Sequence, residues 1–187
     1  WESIYKTTLA STFPPGAPNL QPIMHYIIAY CAGFSGDIPT LEWCQRHGLT
    51  DVGQVDYSIG YSGSQEAILW WSRNGGDSWR TVVAGAAASG NILTLEFLLS
   101  PSTRSMMTPN LRNDDGLWKN LWKRTANRSA TANGQVGVLN YLDHKYGFSD
   151  DDWKDIFLLA SKNGSVLVMR NVYRNHKQTP STHFQPF

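Results

Sequence analysis

Apolar side chains along this chain recur with a long period that is marked by glycine residues. Gly36, Gly63 and Gly90 are spaced 27 residues apart, and similar surroundings recur at Gly134 and Gly164. Five positions after each glycine there is an aliphatic side chain, and eight positions after it there is another apolar one. Positions three apart lie on one side of a helix, so an amphipathic helix is predicted after each glycine.

A second helical pattern precedes each of these glycines. The residue four positions before the glycine is small or apolar, and the residue three positions before it is small, in all five copies. We expect this first helix to pack closely on the second, with glycine supplying the positive φ of a tight turn. Gly48, Gly75 and Gly147 are predicted to close the second helices. A fixed repeat of this size is typical of stacked solenoids.

The unit resembles the ankyrin repeat, in which a small-Ala-Ala-x-x-Gly helix end leads into a Val-x-x-Leu-Leu helix. The best-matching stretch is residues 83–99, and the resemblance covers about residues 22 to 175. The step is shorter than the ankyrin repeat of about 33 residues, and the Thr-Pro-Leu-His signature is missing from every copy. The resemblance therefore implies an all-α solenoid of about five stacked ankyrin-like helix-turn-helix repeats with short or absent β-hairpin fingers.

Three regions follow from the pattern. Residues 1–21, rich in proline and turn-forming residues, are predicted to be an N-terminal cap and connector, and 22–175 the repeat array. Residues 176–187 have no period and are predicted to be a C-terminal tail. The interval before the fourth glycine exceeds the step, which places an insertion at 103–117 and a lengthened first helix starting near Asp114. Insertions in repeat arrays map to one face, often the binding face.

Protein binding is the function expected of such an array, and two groups of residues are predicted to carry it. Phe34 and Tyr61 stand two positions before their glycines, where the other copies have Ala or Lys, so we predict that they are exposed anchors. The insertion and the helix after it are basic and aromatic, a composition enriched at interfaces. There the predicted interface residues are Arg104, Met106, Met107, Arg112, Trp118 and Lys119.

The tryptophans of that region have a second interpretation. Trp118 and Trp122 are four residues apart and could instead fill the gap between the third and fourth repeats. A helix has only one core stripe, so this structural interpretation is favoured for Trp122 more than for Trp118.

Composition and charge limit the classes of partner. The chain has 187 residues, of which 41% are hydrophobic and 17% charged, as in a globular protein. Its net charge of +1 gives no signal for nucleic acid or for an anionic membrane surface, and no apolar run is long enough to span a bilayer. Charge is uneven, because residues 1–93 carry a negative balance and 94–187 a positive one. We predict a monomer that has a protein partner, no nucleic-acid or membrane partner, and no cofactor.

The two cysteines leave two states open. Cys31 and Cys44 stand on paired helices of one repeat, where a disulfide would suit a secreted protein. Alternatively, Cys44 simply fills an apolar position. Together with His25 and His47 they are the one cluster with metal-ligand chemistry, but His25 and Cys31 are poorly spaced for one helix face, so no metal is predicted.

Localisation and the rival functions are inferred from the start of the chain, from the resemblance and from the search for enzyme motifs. The chain starts at Trp1, so we expect an N-terminal piece to be missing. Likeness to divergent ankyrin arrays then favours a secreted pathogen or symbiont effector that binds a host protein over a cytoplasmic protein. Alternatives are a hydrolase or metal-dependent enzyme on the same scaffold, and a structural module that associates end to end. No nucleophile elbow, phosphate loop, kinase signature or zinc-protease helix is present, so no enzyme is predicted.

Overall fold

The chain is helical throughout the part described by the structure, a computed structural model that covers residues 21–49, 55–107 and 115–176. Within those ranges there are eleven helices and no strand, which confirms the prediction of an all-α protein. None of these helices combines the length and the apolar character needed to cross a membrane. They are α1 (Gln21–Ser35), α2 (Ile38–Arg46), α3 (Asp56–Ser62), α4 (Gln65–Arg73), α5 (Trp79–Ser89), α6 (Ile92–Leu98), α7 (Pro101–Ser105), α8 (Asp115–Ala132), α9 (Val136–Tyr146), α10 (Asp150–Asn163) and α11 (Val166–His176).

The glycine turns form as predicted. Each of the five repeating glycines separates two helices and has a φ between 68° and 79°, a region that side chains disfavour. In three copies the residue after the glycine caps the second helix, with the side chains of Asp37, Ser64 and Asn91 accepting a backbone N–H. The glycines with positive φ, including the three predicted to close second helices, are Gly36, Gly48, Gly63, Gly75, Gly90, Gly134, Gly147 and Gly164.

The core occupies the positions that the periodicity predicts. The residue eight positions after each repeating glycine is buried in all five copies, from Cys44 to Val172. The residue five positions after it is fully buried in four copies, and Met169 of the fifth is half-buried. The residue four positions before the glycine is buried in every copy. The two helices around each glycine therefore enclose a shared apolar layer.

The helices that precede the repeating glycines are here called first helices (α1, α3, α5, α8 and α10), and those that follow are called second helices (α2, α4, α6, α9 and α11). Each first helix packs against its own second helix and against the next first helix along the chain. Second helices also meet, since α6 contacts α9 and α9 contacts α11. Successive first helices are therefore neighbours in the order of the sequence.

Glycines in the middle of first helices allow the neighbouring helices α3 and α5 to approach closely. A Cβ atom on Gly60 would collide with the backbone carbonyl of Val82, and one on Gly85 would collide with the carbonyl oxygen of Tyr57. This differs from the sequence prediction, in which small residues let a first helix pack on its own second helix. The structure instead uses Gly60 to bring two successive first helices together, because that side of the helix faces its neighbour.

Hydrogen bonds also join neighbouring turns from the second pair to the fourth. The Oγ1 of Thr94 donates to the carbonyl oxygen of Gly63 at 3.0 Å, and the Nε2 of Gln135 donates to that of Ala88 at 2.9 Å. Around Gly134, in contrast, no described atom lies within 4 Å of where a Cβ would be. The contacts between the fourth and fifth pairs include those of α8 with α10 and of α9 with α11.

Candidate functional site

Five aromatic rings of α1 and α3 form a continuous group at the surface, the aromatic cluster (Tyr26, Tyr30, Phe34, Tyr57 and Tyr61). Tyr26 stacks on Tyr30 with ring centroids 5.3 Å apart, and Tyr30 meets Phe34 edge-on at 4.8 Å. Phe34 connects the two helices, since its centroid lies 4.8 Å from that of Tyr61 and 6.5 Å from that of Tyr57. Each ring therefore touches at least one other ring of the cluster.

Helical register explains why these rings share one surface. They stand ten, six and two positions before the turn glycine on α1, and six and two positions before it on α3. Residues four apart lie above one another on a helix, so each helix presents a single column of rings. The two columns meet because α1 has no side chain at Gly33, where a Cβ would collide with the hydroxyl of Ser58 on α3.

The aromatic cluster is partly exposed to solvent. Tyr26 and Tyr61 are 45% and 40% exposed, and the other three rings are half-buried. Burial raises the pKa of Tyr30, with a smaller contribution from Tyr26, and burial likewise raises the pKa of Tyr57. These phenols stay neutral at physiological pH and offer apolar area together with a hydroxyl, the combination found at interface hot spots.

The same side of the next first helices continues this surface, and we call the whole the first-helix face. It consists of the residues ten, six and two positions before the glycine on α1, α5 and α8, and of those six and two positions before it on α3. On α5 two of these positions hold Ala84 and Ala88, which are half-buried and buried. The Oγ of Ser129 on α8 donates to the carbonyl oxygen of Ala84 at 2.6 Å and holds α8 beside α5. These two alanines therefore expose little surface next to the aromatic cluster, and we call this part of α5 the floor.

Arginines lie beyond that floor. Arg124 and Arg128 occupy the first-helix face on α8, and Arg80 occupies it at the start of α5; all three are exposed. Within the described residues none of them forms an ion pair. The first-helix face is thus aromatic on α1 and α3, carries Arg80 and two alanines on α5, and carries Arg124 and Arg128 on α8.

The structure brings together the two anchors that the sequence predicts, and it adds three more rings. Phe34 and Tyr61 are in ring contact, although Phe34 is half-buried and only Tyr61 is exposed. Sequence reasoning missed Tyr26, Tyr30 and Tyr57, because it considered only the position nearest the turn. Their spacing of four residues from each other and from the anchors was the signal that would have identified them.

Of the residues predicted from the insertion, those that the structure describes do not form a comparable group. Met106 is 43% exposed and Arg104 is half-buried. Met107 is a correction, because only 3% of it is exposed and its side chain packs into the hydrophobic core. Arg112, together with the side chains of Trp118 and Lys119, lies outside the described part of the chain.

The rest of that region serves the packing of α8. Trp122 is 1% exposed, as in the interpretation that it fills the gap between repeats. The Nζ of Lys123 lies 2.6 Å from Oδ2 of Asp152 and also donates to the carbonyl oxygen of Gly147. Burial raises the pKa of Asp152, but hydrogen bonds from Lys123 and Ser149 outweigh this effect and hold the pKa below its usual value. These contacts tie α8 to the start of α10.

Of the two states that the sequence left open for the cysteines, the disulfide is wrong, since both thiols are free. Cys31 is exposed on α1, whereas Cys44 is fully buried on α2. Cys44 occupies the apolar position eight residues after Gly36, and Cys31 does not point into that layer. Burial, with a smaller contribution from Asp37, raises the pKa of the Cys44 thiol, so it stays protonated and unreactive at neutral pH.

Of the two histidines near the cysteines, His47 contacts its own helix. The Nδ1 of His47 lies 2.8 Å from the carbonyl oxygen of Trp43, and the two rings are 4.7 Å apart. Burial lowers the pKa of His25. Among the described residues there is no group of three or more His, Cys, Asp or Glu side chains placed to hold a metal ion.

One carboxyl group is buried at the start of α3. Asp56 is 3% exposed and accepts a hydrogen bond from Nε1 of Trp71 at 2.6 Å. Burial raises the pKa of Asp56 to about 6, although hydrogen bonds from Trp71 and Ser78 oppose the change. A raised carboxyl pKa can mark a catalytic acid in a cleft. Asp56 has almost no exposed surface, however, so its described contacts give it a role in packing α3, α4 and α5.

This carboxyl group predicts a pH dependence of stability. The pKa of Asp56 is about 6 in the folded state against an ordinary 3.8, so the folded chain binds the proton more tightly. Its contribution to the free energy of unfolding is full below about pH 4 and falls as pH rises through 6, by up to about 3 kcal/mol. Urea titrations of the wild type and of Asp56→Asn at pH 4.5 and 7 measure this loss in the free energy of unfolding. The amide of the variant keeps an acceptor oxygen for Trp71 but does not titrate, so we expect the variant to gain stability relative to the wild type as pH rises. An equal pH effect in both proteins contradicts the assignment.

Comparison with protein-family models, with curated proteins and with solved structures gives no significant match, so the functional proposal depends on the geometry of the first-helix face.

Proposed function

We propose that this protein is an interaction module, built of about five ankyrin-like helix pairs, that binds a partner protein through the first-helix face. The observation that carries the proposal is the aromatic cluster. Five rings gather at one surface of α1 and α3, and two of them are 40% exposed or more. A grouping of this kind exposes apolar area that a globular domain usually buries unless it binds something.

Regularity around the glycines supports the repeat part of this proposal. The positions four before and eight after the glycine are buried in each pair, each turn has the same sign of φ, and successive first helices pack in chain order. Units arranged in that way bury their cores between neighbours and leave an extended surface along the row. Such a surface suits a macromolecular partner better than a small molecule, which binds in a concave pocket.

The location of the rings supports binding over a purely structural role. The core positions of each pair are those four before, five after and eight after the glycine, and none of the five rings occupies one. Tyr26 and Tyr61 could therefore be polar without disturbing the core layer. Tyrosine contributes large contact area at small entropic cost, which is why it is enriched at recognition surfaces.

Removing the two exposed rings should weaken capture of the partner while the fold survives. We expect Tyr26→Ala with Tyr61→Ala to lower the affinity at least about tenfold, since buried tyrosine anchors carry much of an interface's energy. The midpoint of thermal unfolding should fall by at most about 5 °C, because only surface ring contacts are lost. Affinity capture from cell extracts with quantitative mass spectrometry identifies the partner, and titration of that purified partner gives the affinity.

The matched control removes two exposed apolar side chains from second helices. Leu93 and Leu167 are 72% and 63% exposed, and the variant Leu93→Ala with Leu167→Ala should bind like the wild type. Equal capture by the tyrosine variant and the wild type would contradict the proposed face. Light scattering over a concentration series separates this function from end-to-end self-association, which would raise the mass with concentration.

A further inference from the structure

The two ends of the first-helix face differ in chemistry, and this difference indicates what the partner presents. We infer that the partner binds through an extended acidic segment that also carries aromatic or aliphatic side chains, with its apolar residues on the aromatic cluster and its carboxylates on Arg124 and Arg128. This inference rests on the proposed function and adds the chemical class of the partner.

The arginine pair is a favourable position for a negatively charged group. Arg124 and Arg128 are four residues apart on α8, so their side chains are neighbours and their like charges repel each other. Neither has an ion-pair partner among the described residues, whereas Lys123 on the same helix is paired with Asp152. A carboxylate placed between the two guanidinium groups would relieve the repulsion and form charge-assisted hydrogen bonds.

The distance between the two ends of the face determines how long the partner segment must be. One helix, α5, separates the aromatic rings of α3 from the arginines of α8, and it contributes Ala84 and Ala88 there. Packed helices are about 8 to 10 Å apart, so the two ends of the face are about 16 to 20 Å apart. An extended chain advances about 3.3 Å per residue, which places the acidic and apolar residues of the partner about five or six positions apart.

A protein segment fits this face better than a single-stranded nucleic acid does. Nucleic-acid affinity depends on how many phosphates the protein neutralises, and a net charge of +1 gives the chain little overall attraction for a polyanion. On the neighbouring first helix α10, the positions ten, six and two before the glycine hold Lys154, Leu158 and Lys162, and Asp151 lies 3.0 Å from Lys154. Cations at these positions occur only on α5, α8 and α10, while α1 and α3 present rings, so a peptide that carries separate apolar and acidic residues matches the surface better than a continuous phosphate backbone does.

Selection from a displayed library of random peptides about twelve residues long, enough to span both ends of the face, tests this inference. We expect the selected peptides to carry Asp or Glu about five or six positions from Trp, Phe, Tyr or Leu. Binding of a selected peptide should weaken as salt is added, because the arginines are exposed. It should fall at least about tenfold in Arg124→Glu with Arg128→Glu.

A second arginine pair provides the control for charge and spacing. Arg170 and Arg174 are also exposed and four residues apart, but on the second helix α11, so their replacement by Glu should change the affinity less than about twofold. Equal losses in the two charge-reversal variants would overturn the inference, because net charge alone would then explain binding.

The remaining outcomes separate this inference from the proposed function. Selected peptides that need Tyr26 and Tyr61 but lack acidic residues would overturn the inference and leave the proposed function standing. Peptides that bind equally well without those tyrosines would overturn both. Failure to select any peptide above background, or displacement of the peptides by single-stranded oligonucleotides at equal affinity, would also overturn the inference.

Discussion

Replacing Gly60 or Gly85 by alanine is expected to lower the free energy of unfolding by about 3 kcal/mol or more. A new Cβ at either position would collide with backbone atoms of the facing first helix, and backbone cannot rotate away as a side chain can. The helices α3 and α5 would have to separate, which also loosens the buried layer around Val82 and Ile59. Urea unfolding followed by circular dichroism measures the loss.

The control for these variants is another glycine within a helix. A Cβ on Gly137 of α9 would lie 4.0 Å from the Cδ1 of Ile92, its nearest neighbour among the described atoms, which is ordinary contact. Alanine favours a helix over glycine by about 0.5 to 1 kcal/mol, so Gly137→Ala should stabilise the fold slightly. If Gly60→Ala behaves like Gly137→Ala, the close approach of α3 and α5 is wrong.

Removal of the Trp71 side chain is expected to have the other large effect, a loss of about 5 kcal/mol. The indole is fully buried, lies edge-on to Trp79 at 5.0 Å, and donates to Asp56 at 2.6 Å. Trp71→Ala therefore creates a large cavity and leaves a buried carboxyl group without its main donor. Trp70→Ala, at a half-buried position next in sequence, should cost about half as much or less.

A double-mutant cycle separates the cavity from the hydrogen bond. Once Asp56 is changed to alanine, the buried acceptor is gone, so Trp71→Ala should cost about 1 to 3 kcal/mol less than it does in the wild type. Additive losses would mean that the indole N–H and the carboxyl group do not interact. Measuring the cycle at pH 7 gives the largest coupling, because Asp56 is mostly ionised above its pKa of about 6.

Much of the helix layout could be predicted from the sequence, because it depends on local geometry. A glycine at a fixed position requires a turn, and apolar residues five and eight positions later must lie on one side of the following helix. The start of the long helix was also close, predicted near Asp114 and found at Asp115. The sequence could not predict which neighbouring helix a small residue faces. Gly60 could equally have faced the second helix of its own pair, whereas it faces the next first helix.

The candidate site was predicted only in part, for a related reason. Variation at the position two before the glycine identified Phe34 and Tyr61 as different from core residues. That comparison between copies says nothing about Tyr30, whose importance comes from contacts across α1 and α3. The predictions of Met107 as an interface residue and of a disulfide between Cys31 and Cys44 were wrong for a different reason. Composition and the approximate pairing of helices do not specify which way a side chain points.

The unequal burial of the two thiols gives the native chain a built-in attachment point. Cys31 is accessible on α1, and Cys44 is fully enclosed. A maleimide dye should therefore label the folded protein at one site, beside Tyr30 in the sequence, with no engineered cysteine. Its fluorescence would report occupancy of the neighbouring surface in real time, and a second labelled equivalent would appear only as the fold opens.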